Sequence, residues 1–257
     1  MSGQSIMIAS GKGGVGKTWL SITLAHGLAK HGARVLLLDA DLGLANVDIQ
    51  LGVFPERDLR AVVGGTHLLS EAVMSHDGGF DILAGRSGAG DLGSLGPAGW
   101  NKILALVAEA KAQYDHVVVD LPAGLDPFVR LMSAAADRLL VITTEEPTSL
   151  TDAYAVLKMH QRDRPLGRGP GDIVVNQANS QTSGLQIHAV LAGACTNFLH
   201  ETPALAAVIP HDKLVNKAIR QQSLLMMRHQ NSAAGTAVHS LADKFCRRLG
   251  GIANNRH

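Results

Sequence analysis

The sequence predicts an α/β protein with a doubly wound, mostly parallel sheet and helices on both faces. Strand-like apolar runs alternate with helical patterns along most of the 257 residues, which is typical of βαβ units. The runs at 35–38 and 117–119 are apolar at every position, as expected for strands buried on both faces. A glycine-rich loop at 11–16 joins the first apolar run to a helical pattern. We expect one domain over residues 1–257.

The elements follow in order along the chain. The first strand is predicted at residues 5–9, where every position but the first is apolar. Leu20, Leu24, Ala25 and Leu28 then recur at helical spacing, and Gly32 marks the end of that helix. Further strands are predicted at 34–39, 80–84, 116–120, 138–143, 172–176 and 206–209. Further helices are predicted at 68–74, 98–113, 127–136, 149–161, 184–198, 213–221 and 233–249. The segment 162–171, with its prolines and glycines, is predicted to be a surface loop too short to separate domains.

Composition excludes several classes of protein. The net charge of +1 gives no argument for a nucleic-acid or membrane partner, and an aromatic content of 4% makes base-stacking platforms unexpected. The two cysteines, Cys195 and Cys246, form no C-x-x-C pair, so neither a disulfide framework nor a cysteine metal site is expected. No signal peptide or spanning segment is evident. We therefore expect a cytoplasmic protein.

Residues 10–18, SGKGGVGKT, contain the phosphate-binding motif G-x-x-x-x-G-K-[ST], with Gly11, Gly16, Lys17 and Thr18 at the fixed positions. The glycines let backbone N–H groups surround a phosphate, Lys17 reaches the β/γ-phosphates, and the Thr18 hydroxyl binds Mg²⁺. The strand before the motif and the helix after it supply the context that it requires. The sequence thus predicts ATP or ADP and Mg²⁺ as cofactors. The loop residues expected to bind the nucleotide are Gly11, Gly13, Gly14, Val15, Gly16, Lys17, Thr18 and Trp19.

A second lysine, Lys12, completes the string KGGVGKT, which resembles the deviant Walker A motif of the MinD/ParA family of ATPases. The resemblance implies a P-loop NTPase fold of the SIMIBI type and a homodimer in the ATP state. It also implies that Lys12 reaches across the dimer to the phosphates of the partner subunit. Lys12 is therefore a predicted catalytic residue, together with Lys17.

Two acidic strand ends are expected beside the P-loop. Asp39 and Asp41 follow one very apolar strand and Asp120 ends another, and the carboxyl ends of strands hold the ligand in open α/β sheets. An aspartate there can hold Mg²⁺ or orient the attacking water. The family resemblance implies that Asp120 and Asp39 act on Mg²⁺ with Thr18, and that Asp41 orients the hydrolytic water. The alternative is that Asp39 and Asp120 only cap the loops that follow them.

The base site is predicted after the strand at 172–176. P-loop GTPases carry N-K-x-D there, but this chain reads Asn176-Gln-Ala-Asn179 and lacks the acidic acceptor for guanine. ATP is therefore expected to be favoured over GTP. The resemblance places Asn176 at the adenine edge and the loop with Pro210 and Asp212 on its other side. Asn176 as a simple turn residue remains the alternative.

Several segments are similar to the FlhG (FleN) branch of the family, which regulates flagellar number and placement. They are the segments at 39–48, 146–155, 209–212 and 217–222 and the turn at Ser87 and Gly88. The N-terminal extension by which such proteins stimulate a partner GTPase is not evident, and a terminal amphipathic membrane helix is not clear. Ala234, Val238, Leu241, Phe245 and Leu249 form an apolar stripe that is expected to pack on the domain, although peripheral attachment to the inner membrane is left open.

Three functions are compatible with these residues. The first is an ATP-driven dimerisation switch with slow hydrolysis and a protein partner or cargo, of the flagellar type or of the cell-division MinD type. The second is a ParA-type partitioning ATPase, which would need a basic surface for DNA. The third is a metabolic P-loop ligase or an iron–sulfur carrier, and the carrier would need paired cysteines that the chain lacks.

Overall fold

The computed structural model describes residues 3–41, 43, 45–85 and 95–253, with side chains as far as residue 247. The turn at Ser87 and Gly88, and the side chain of Leu249, lie outside the described residues.

Eight strands form the central sheet, and the most apolar of them lie in its middle. The strands are β1 (Gln4–Ser10), β2 (Val35–Asp39), β3 (Met74–His76), β4 (Phe80–Leu83), β5 (His116–Ala123), β6 (Arg138–Thr143), β7 (Asp172–Ala178) and β8 (Leu205–Pro210). They form one eight-stranded sheet in the order β3-β4-β2-β5-β1-β6-β7-β8. All neighbours pair in parallel except β3, which is antiparallel to β4. The central strands β2, β5 and β1 are almost wholly buried, as strands covered on both faces must be.

The helices connect the parallel strands. They are α1 (Lys17–Lys30), α2 (Val47–Leu51), α3 (Leu59–Val63), α4 (Leu69–Ala72), α5 (Gly96–Gln113), α6 (Pro127–Ala135), α7 (Pro147–Asp163), α8 (Gln181–Leu199), α9 (Lys213–Arg220), α10 (Leu225–Arg228) and α11 (Ala233–Ala253). Two apolar cores lie on opposite faces of the sheet. One contains residues of α3 to α8, and the other contains residues of α1, α2, α9, α10 and α11. Alternate residues of β1 serve the two cores, with Met7 in the first and Ile8 in the second.

The predicted fold class is confirmed: the sheet is mostly parallel, and helices cover both of its faces. All seven predicted strands are present, with end shifts of a few residues. The predicted helix at 68–74 is wrong at its end, because α4 stops at Ala72 and Met74 begins the edge strand β3. Strand β3 and the short helices α2, α3 and α10 were not predicted, because they have too few residues to show a period.

The apolar stripe of α11 packs on the domain. Ala234, Val238, Leu241 and Phe245 are buried, and α11 lies against α1, where Gly27 gives room for the close approach of Ala242. This packing agrees with the expectation for the stripe as far as residue 247. None of the helices in the described part of the chain is both long and apolar enough to span a membrane.

Candidate functional site

The site lies at the carboxyl edge of three adjacent strands. β2, β5 and β1 are neighbours in the sheet, and Asp39 of β2 stands directly beside Asp120 of β5. β1 ends at Ser10, so the loop at 11–16 begins at the same edge. The parallel arrangement therefore brings the predicted P-loop and the two predicted metal carboxylates together.

The loop at 11–16 has a backbone that requires its glycines. Gly14 and Gly16 have φ angles of 80° and 93°, which side chains rarely tolerate. A Cβ on Gly16 would also lie 2.4 Å from Nδ2 of Asn176, and one on Gly11 would lie 2.6 Å from the backbone oxygen of Asp152 in α7. In contrast, nothing lies within 4 Å of the Cβ position at Gly13 or Gly14. The loop is thus fixed against β7 and α7 and open on its other side.

The open side of the loop carries backbone donors without acceptors. The N–H groups of residues 13–16 donate to no residue in the described part of the chain. Successive unsatisfied N–H groups at the start of a helix form an anion-binding concavity, and the positive end of the α1 dipole lies beside them. This arrangement fits the phosphates of a nucleotide.

Lys17 and Thr18 both contact Asp120. The Lys17 Nζ lies 3.3 Å from Asp120 Oδ1, and the Thr18 hydroxyl donates to Oδ2 at 2.6 Å. Ser21, one turn further along α1, donates to Oδ1 at 3.0 Å. All of these groups except Thr18 are buried. Asp120 is therefore positioned by the first turns of α1, which is where the predicted ligands of the phosphates and Mg²⁺ lie.

Asp39 organises the segment that follows β2. Its Oδ1 accepts from the backbone N–H of Asp41 at 3.0 Å, and its Oδ2 accepts from those of Asn46 and Val47 at 3.0 and 3.1 Å. Asp39 thus closes the loop and holds the start of α2. Asp41, the predicted water-orienting residue, is half-buried at the same strand end. The predicted capping role of Asp39 and its predicted metal role are compatible, because a carboxylate has further lone pairs.

Two buried carboxylates side by side are unfavourable without a cation. Burial, and next the neighbouring Asp120, raise the pKa of Asp39 to about 7, against three backbone hydrogen bonds that lower it. Burial also raises the pKa of Asp120, against the attraction of Lys17 and the hydrogen bonds from Thr18, Ser21 and Lys17. A divalent cation would favour the ionised form of both groups.

The donor set fits Mg²⁺. Within the described residues no three His, Cys, Asp or Glu side chains form a ligand cluster. Mg²⁺ does not need one, since it keeps several waters and binds through one or two carboxylates together with nucleotide phosphates. Asp39, Asp120 and the Thr18 hydroxyl supply such oxygen ligands at one edge of the sheet.

Lys12 does not face the same cradle as Lys17. Its side chain is 41% exposed, and its Nζ lies 2.6 Å from Glu146 Oε2 and 3.3 Å from the Thr148 hydroxyl, at the start of α7. The two lysines of the motif are therefore directed to different places: Lys17 to the buried Asp120 and Lys12 to the surface.

A cavity of about 170 Å³ adjoins the P-loop between β7, β8 and α9. Its wall contains the predicted residues Gly14, Gly16, Trp19, Asn176, Pro210 and Asp212, and also Gln177, His211, Val215, Asn216 and Ile219. The predicted residues of the base site and the P-loop thus share one cavity, which extends from the phosphate cradle. Its position fits a nucleoside.

Two of the lining residues also stabilise the walls. Asn176 is buried, and its Nδ2 donates to the Val15 carbonyl at 2.7 Å, so that it links β7 to the P-loop. Asp212 begins α9 by accepting from the Leu214 N–H at 2.9 Å, and it accepts from the Ser232 hydroxyl at 2.6 Å. The second bond joins α9 to the segment before α11.

Asn179, on which the preference for ATP was argued, does not line this cavity. Its side-chain amide and its backbone N–H donate to Glu145, which also accepts from the Ser183 hydroxyl at 2.6 Å. The residue of β7 that reaches the cavity beyond Asn176 is Gln177, which has a φ angle of 56°.

Sequence reasoning missed four residues of the site: Ser21, Glu145, Glu146 and Gln177. Ser21 could have been found, because it lies one helical turn after Lys17 and shares its face. Glu145 and Glu146 could not, since their contacts with Asn179 and Lys12 join segments more than 30 residues apart. Gln177 reaches the cavity at the end of β7, where its φ angle is 56°.

Comparison with known proteins identifies relatives over nearly the whole chain. A family model described as the CobQ/CobB/MinD/ParA nucleotide binding domain matches residues 6–225. The antiactivator FleN of Pseudomonas aeruginosa is 37% identical over 241 residues, which cover 94% of this chain and 85% of that protein. The flagellum site-determining protein YlxH of Helicobacter pylori is 28% identical over 95% of this chain and 89% of its own length.

Solved structures show the same fold. The septum site-determining protein MinD of Pyrococcus horikoshii, complexed with Mg-ADP, matches with a TM-score of 0.78 at 24% identity and covers 97% of this chain and 98% of its own. The MinD cell division protein of Aquifex aeolicus matches with a TM-score of 0.72 at 25% identity and covers 96% of this chain and 97% of its own.

Proposed function

The chain belongs to the CobQ/CobB/MinD/ParA family of nucleotide-binding proteins, and on that basis we propose that it is a Mg²⁺-dependent ATPase that works as a dimerisation switch. ATP closes a homodimer, the closed dimer binds a protein partner, and slow hydrolysis returns the protein to the monomer. The P-loop supplies the phosphate cradle, the Thr18 hydroxyl and the surface lysine, and Asp39 of β2 and Asp120 of β5 supply the other proposed metal ligands.

The direction of Lys12 is the observation that carries this proposal. Its ammonium group is at the surface beside Glu146 and Thr148, whereas Lys17 is buried beside Asp120. A lysine that only held the phosphates of its own subunit would be expected to face the cradle. A surface position favours a role toward a second molecule, as the family resemblance implies.

We assign roles to the other residues on the geometry of the site together with the family resemblance. The N–H groups of residues 13–16 and Lys17 bind the phosphates, and Thr18, Asp39 and Asp120 hold Mg²⁺, which neutralises charge on the transferred phosphoryl group. Asp41 orients the attacking water at the end of β2. Asn176 and Pro210 enclose the base, with Trp19 at the inner wall of the cavity.

The cellular role that we propose is control of flagellar number or placement through a protein partner. FleN and the flagellum site-determining protein YlxH are both similar to this chain over more than nine-tenths of its length. A MinD of Aquifex aeolicus has been solved in complex with MinC, which shows that a protein with this fold can bind a protein partner. We place this chain in the cytoplasm, with its partner at the flagellar apparatus or its regulators.

The switch is tested with the purified full chain. Light scattering after size exclusion should give a monomer with ADP and a dimer with a non-hydrolysable ATP analogue and Mg²⁺. Phosphate release should be slow and should need Mg²⁺. A monomer in every nucleotide state would contradict the switch and favour a metabolic ligase, which acts on a second substrate.

The flagellar role is tested separately by complementation. Expression in a Pseudomonas aeruginosa strain that lacks FleN should restore the parental number of flagella, counted by electron microscopy. The Lys17→Ala variant is the control and should not restore it. No change with a stably expressed wild-type chain would contradict this role, whatever the outcome of the dimerisation experiment.

A further inference from the structure

A long segment near the end of the chain is entirely free of acidic residues. Residues 213–242 contain no Asp or Glu but four cationic residues, Lys213, Lys217, Arg220 and Arg228, in a chain whose net charge is only +1. Such a concentration of one sign creates a local field that attracts an acidic partner. The segment comprises α9, α10 and the first half of α11.

The cations form a stripe on the surface. Lys213, Lys217 and Arg220 are at positions i, i+4 and i+7 of α9, so they share one face of that helix. These three side chains and Arg228 are exposed, and within the described residues none of them makes an ion pair. Most other arginines of the surface are paired, for example Arg34 with Asp115 and Arg130 with Asp163. The stripe is thus an unneutralised positive surface.

A cavity with both polar and apolar lining residues adjoins the end of this stripe. It has a volume of about 360 Å³ and lies between α2, β3 and the turn from α9 to α10. Leu51, Val53, Leu224 and Met227 line it, and Met227 is 55% exposed although it is apolar. Arg228 stands at the same cavity. An apolar side chain of a partner could enter here beside the cations.

We propose that this stripe and cavity form a docking surface for an acidic protein segment that carries an apolar anchor residue. The anchor enters the cavity lined by Leu51, Leu224 and Met227, and carboxylates before or after it pair with Lys217, Arg220 and Arg228. Apolar anchors in pockets with a charged surround are typical of protein recognition.

The cavity favours a protein over a nucleic acid. A phosphate backbone has no apolar group to contact Leu51, Leu224 and Met227. Among the lining residues the aromatic ring is that of His76, and it is already stacked on Phe80 with ring centroids 5.0 Å apart. A protein segment satisfies both the cations and the apolar lining.

Helices α2 and α9 both begin at the nucleotide site and both reach the docking surface. They would therefore couple the docking surface to the nucleotide site. Val215 and Ile219 of α9 line the cavity next to the P-loop. The start of α2 is held by Asp39, and Gln222 joins its other end to the turn after α9 by donating to the Ile49 carbonyl at 3.0 Å. This coupling rests on the proposed nucleotide site, but the docking surface itself does not.

The surface is tested by selecting random 12-residue peptides, displayed on phage, against the immobilised full chain without nucleotide. The enriched peptides should contain two or more acidic residues within a few positions of Leu, Met, Ile or Phe. Replacing the apolar residue of an enriched peptide with Ala should weaken its binding at least about fivefold in fluorescence anisotropy. Failure to enrich such peptides would overturn the proposal.

Charge reversal locates the binding site. The double variant Lys217→Glu and Arg220→Glu should weaken the peptide at least about tenfold, whereas Lys158→Glu, an exposed cation of α7, should leave it unchanged. Far-ultraviolet circular dichroism and an unchanged ATP affinity establish that the variants are folded and keep the nucleotide site. Equal weakening by Lys158→Glu, or no weakening by the double variant, would overturn the proposal. A DNA duplex of random sequence is compared with the peptide at about 150 mM salt, which is close to physiological ionic strength. If the duplex binds more tightly than the peptide, the stripe is assigned to nucleic acid instead.

Discussion

Lys17 neutralises a buried carboxylate in addition to the phosphates that we expect it to bind. Its Nζ is 3.3 Å from Asp120 Oδ1, and both side chains are at least nine-tenths buried. A buried charge is tolerated only when it is paired and hydrogen-bonded. The same lysine therefore makes the metal carboxylate compatible with the core and makes the P-loop attractive to an anion.

The Lys17→Ala variant should lose nucleotide binding. A charge-assisted hydrogen bond to a phosphate contributes about 1.5–3 kcal/mol, and Lys17 is expected to reach two phosphates, so the affinity for ATP should fall on the order of 100-fold or more. Calorimetry with ATP and Mg²⁺ measures this, with Lys158→Ala as the matched control. Affinity within a factor of three of the wild type would mean that the P-loop assignment is wrong.

Trp19 should report the filling of the cavity. It is 6% exposed, lines the cavity beside Asn176 and Pro210, and has an indole N–H that is buried without a partner in the described residues. ADP or ATP should therefore change its fluorescence, and Trp19→Phe should abolish the change while Trp100 still emits. An equal change in the Trp19→Phe variant would show that the signal arises elsewhere.

Some residues of the site could be predicted from the sequence and others could not. The P-loop, Asp39 and Asp120 could be predicted, because a local motif and two very apolar strands fix their places. The hydrogen bond of Asn179 to Glu145 could not, since the two residues are on adjacent connections that only the sheet order brings together.

At the scale of elements, the contact between α1 and α11 contains a group of histidines. His31, the residue that follows α1, stacks on His239 of α11 with ring centroids 4.7 Å apart. His26 of α1 is buried, and its Nδ1 has no hydrogen-bond partner among the described residues. Burial first, and then the charges of Lys30, His76 and His239, lower the pKa of His26 to about 4. Protonation therefore opposes this packing.

The contribution of His26 to the stability of the fold should fall in acid. Its pKa is about 4 in the folded state against 6.5 in the unfolded state, so the unfolded state binds the extra proton as the pH drops below about 6.5. Between pH 7.5 and 5.5 this group should cost about 1.3 kcal/mol of unfolding free energy. The raised pKa of Asp39 acts in the opposite direction over the same range, because the folded state then binds the extra proton.

Urea unfolding of the wild type and of His26→Gln at the two pH values separates these effects. The variant keeps Asp39, so the difference between the two proteins should shrink by about 1.3 kcal/mol on acidification. A difference that is independent of pH would contradict the lowered pKa of His26.

The long elements were predictable and the short ones were not. β6 was predicted with its exact ends, because six consecutive residues carry the signal of a strand. β3 has three residues and gains its strand conformation only by pairing with β4 at the sheet edge. α2 and α10 have five and four residues and depend on neighbours such as Asp39 for their ends.

At the scale of the whole molecule, α7 connects the P-loop to the surface. Its start holds Lys12 through Glu146 and Thr148, and its Asp152 packs so closely on Gly11 that a Cβ there would lie 2.6 Å from the Asp152 oxygen. Any movement of Lys12 toward a partner subunit must break its contact with Glu146. An exposed pair of this kind contributes little to stability, so a bound phosphate can replace it at small cost.

Substitutions of Lys12 and Asp41 should therefore separate two steps of the proposed switch, dimerisation and hydrolysis. Asp41→Ala keeps the phosphate cradle but loses the residue that orients water, so it should bind ATP, dimerise and remain dimeric. Lys12→Ala should bind ATP as a monomer and hydrolyse it slowly, because the cation supplied across the dimer is missing. A cation supplied in this way is worth about 10³-fold or more in rate in related phosphoryl transfer, so the loss should be easily measured.

Light scattering with ATP and Mg²⁺, together with phosphate release, distinguishes the two variants. Glu146→Gln is an informative third protein, since it removes the carboxylate that holds Lys12 at 2.6 Å and leaves the lysine itself in place. It should dimerise at least as readily as the wild type. If Asp41→Ala stays monomeric, or if Lys12→Ala dimerises and turns over normally, then the dimerisation switch is wrong and no charge from Lys12 is needed across a dimer. The surface position of its ammonium group beside α7 would then be a structural contact, and the enzyme an ordinary P-loop ATPase.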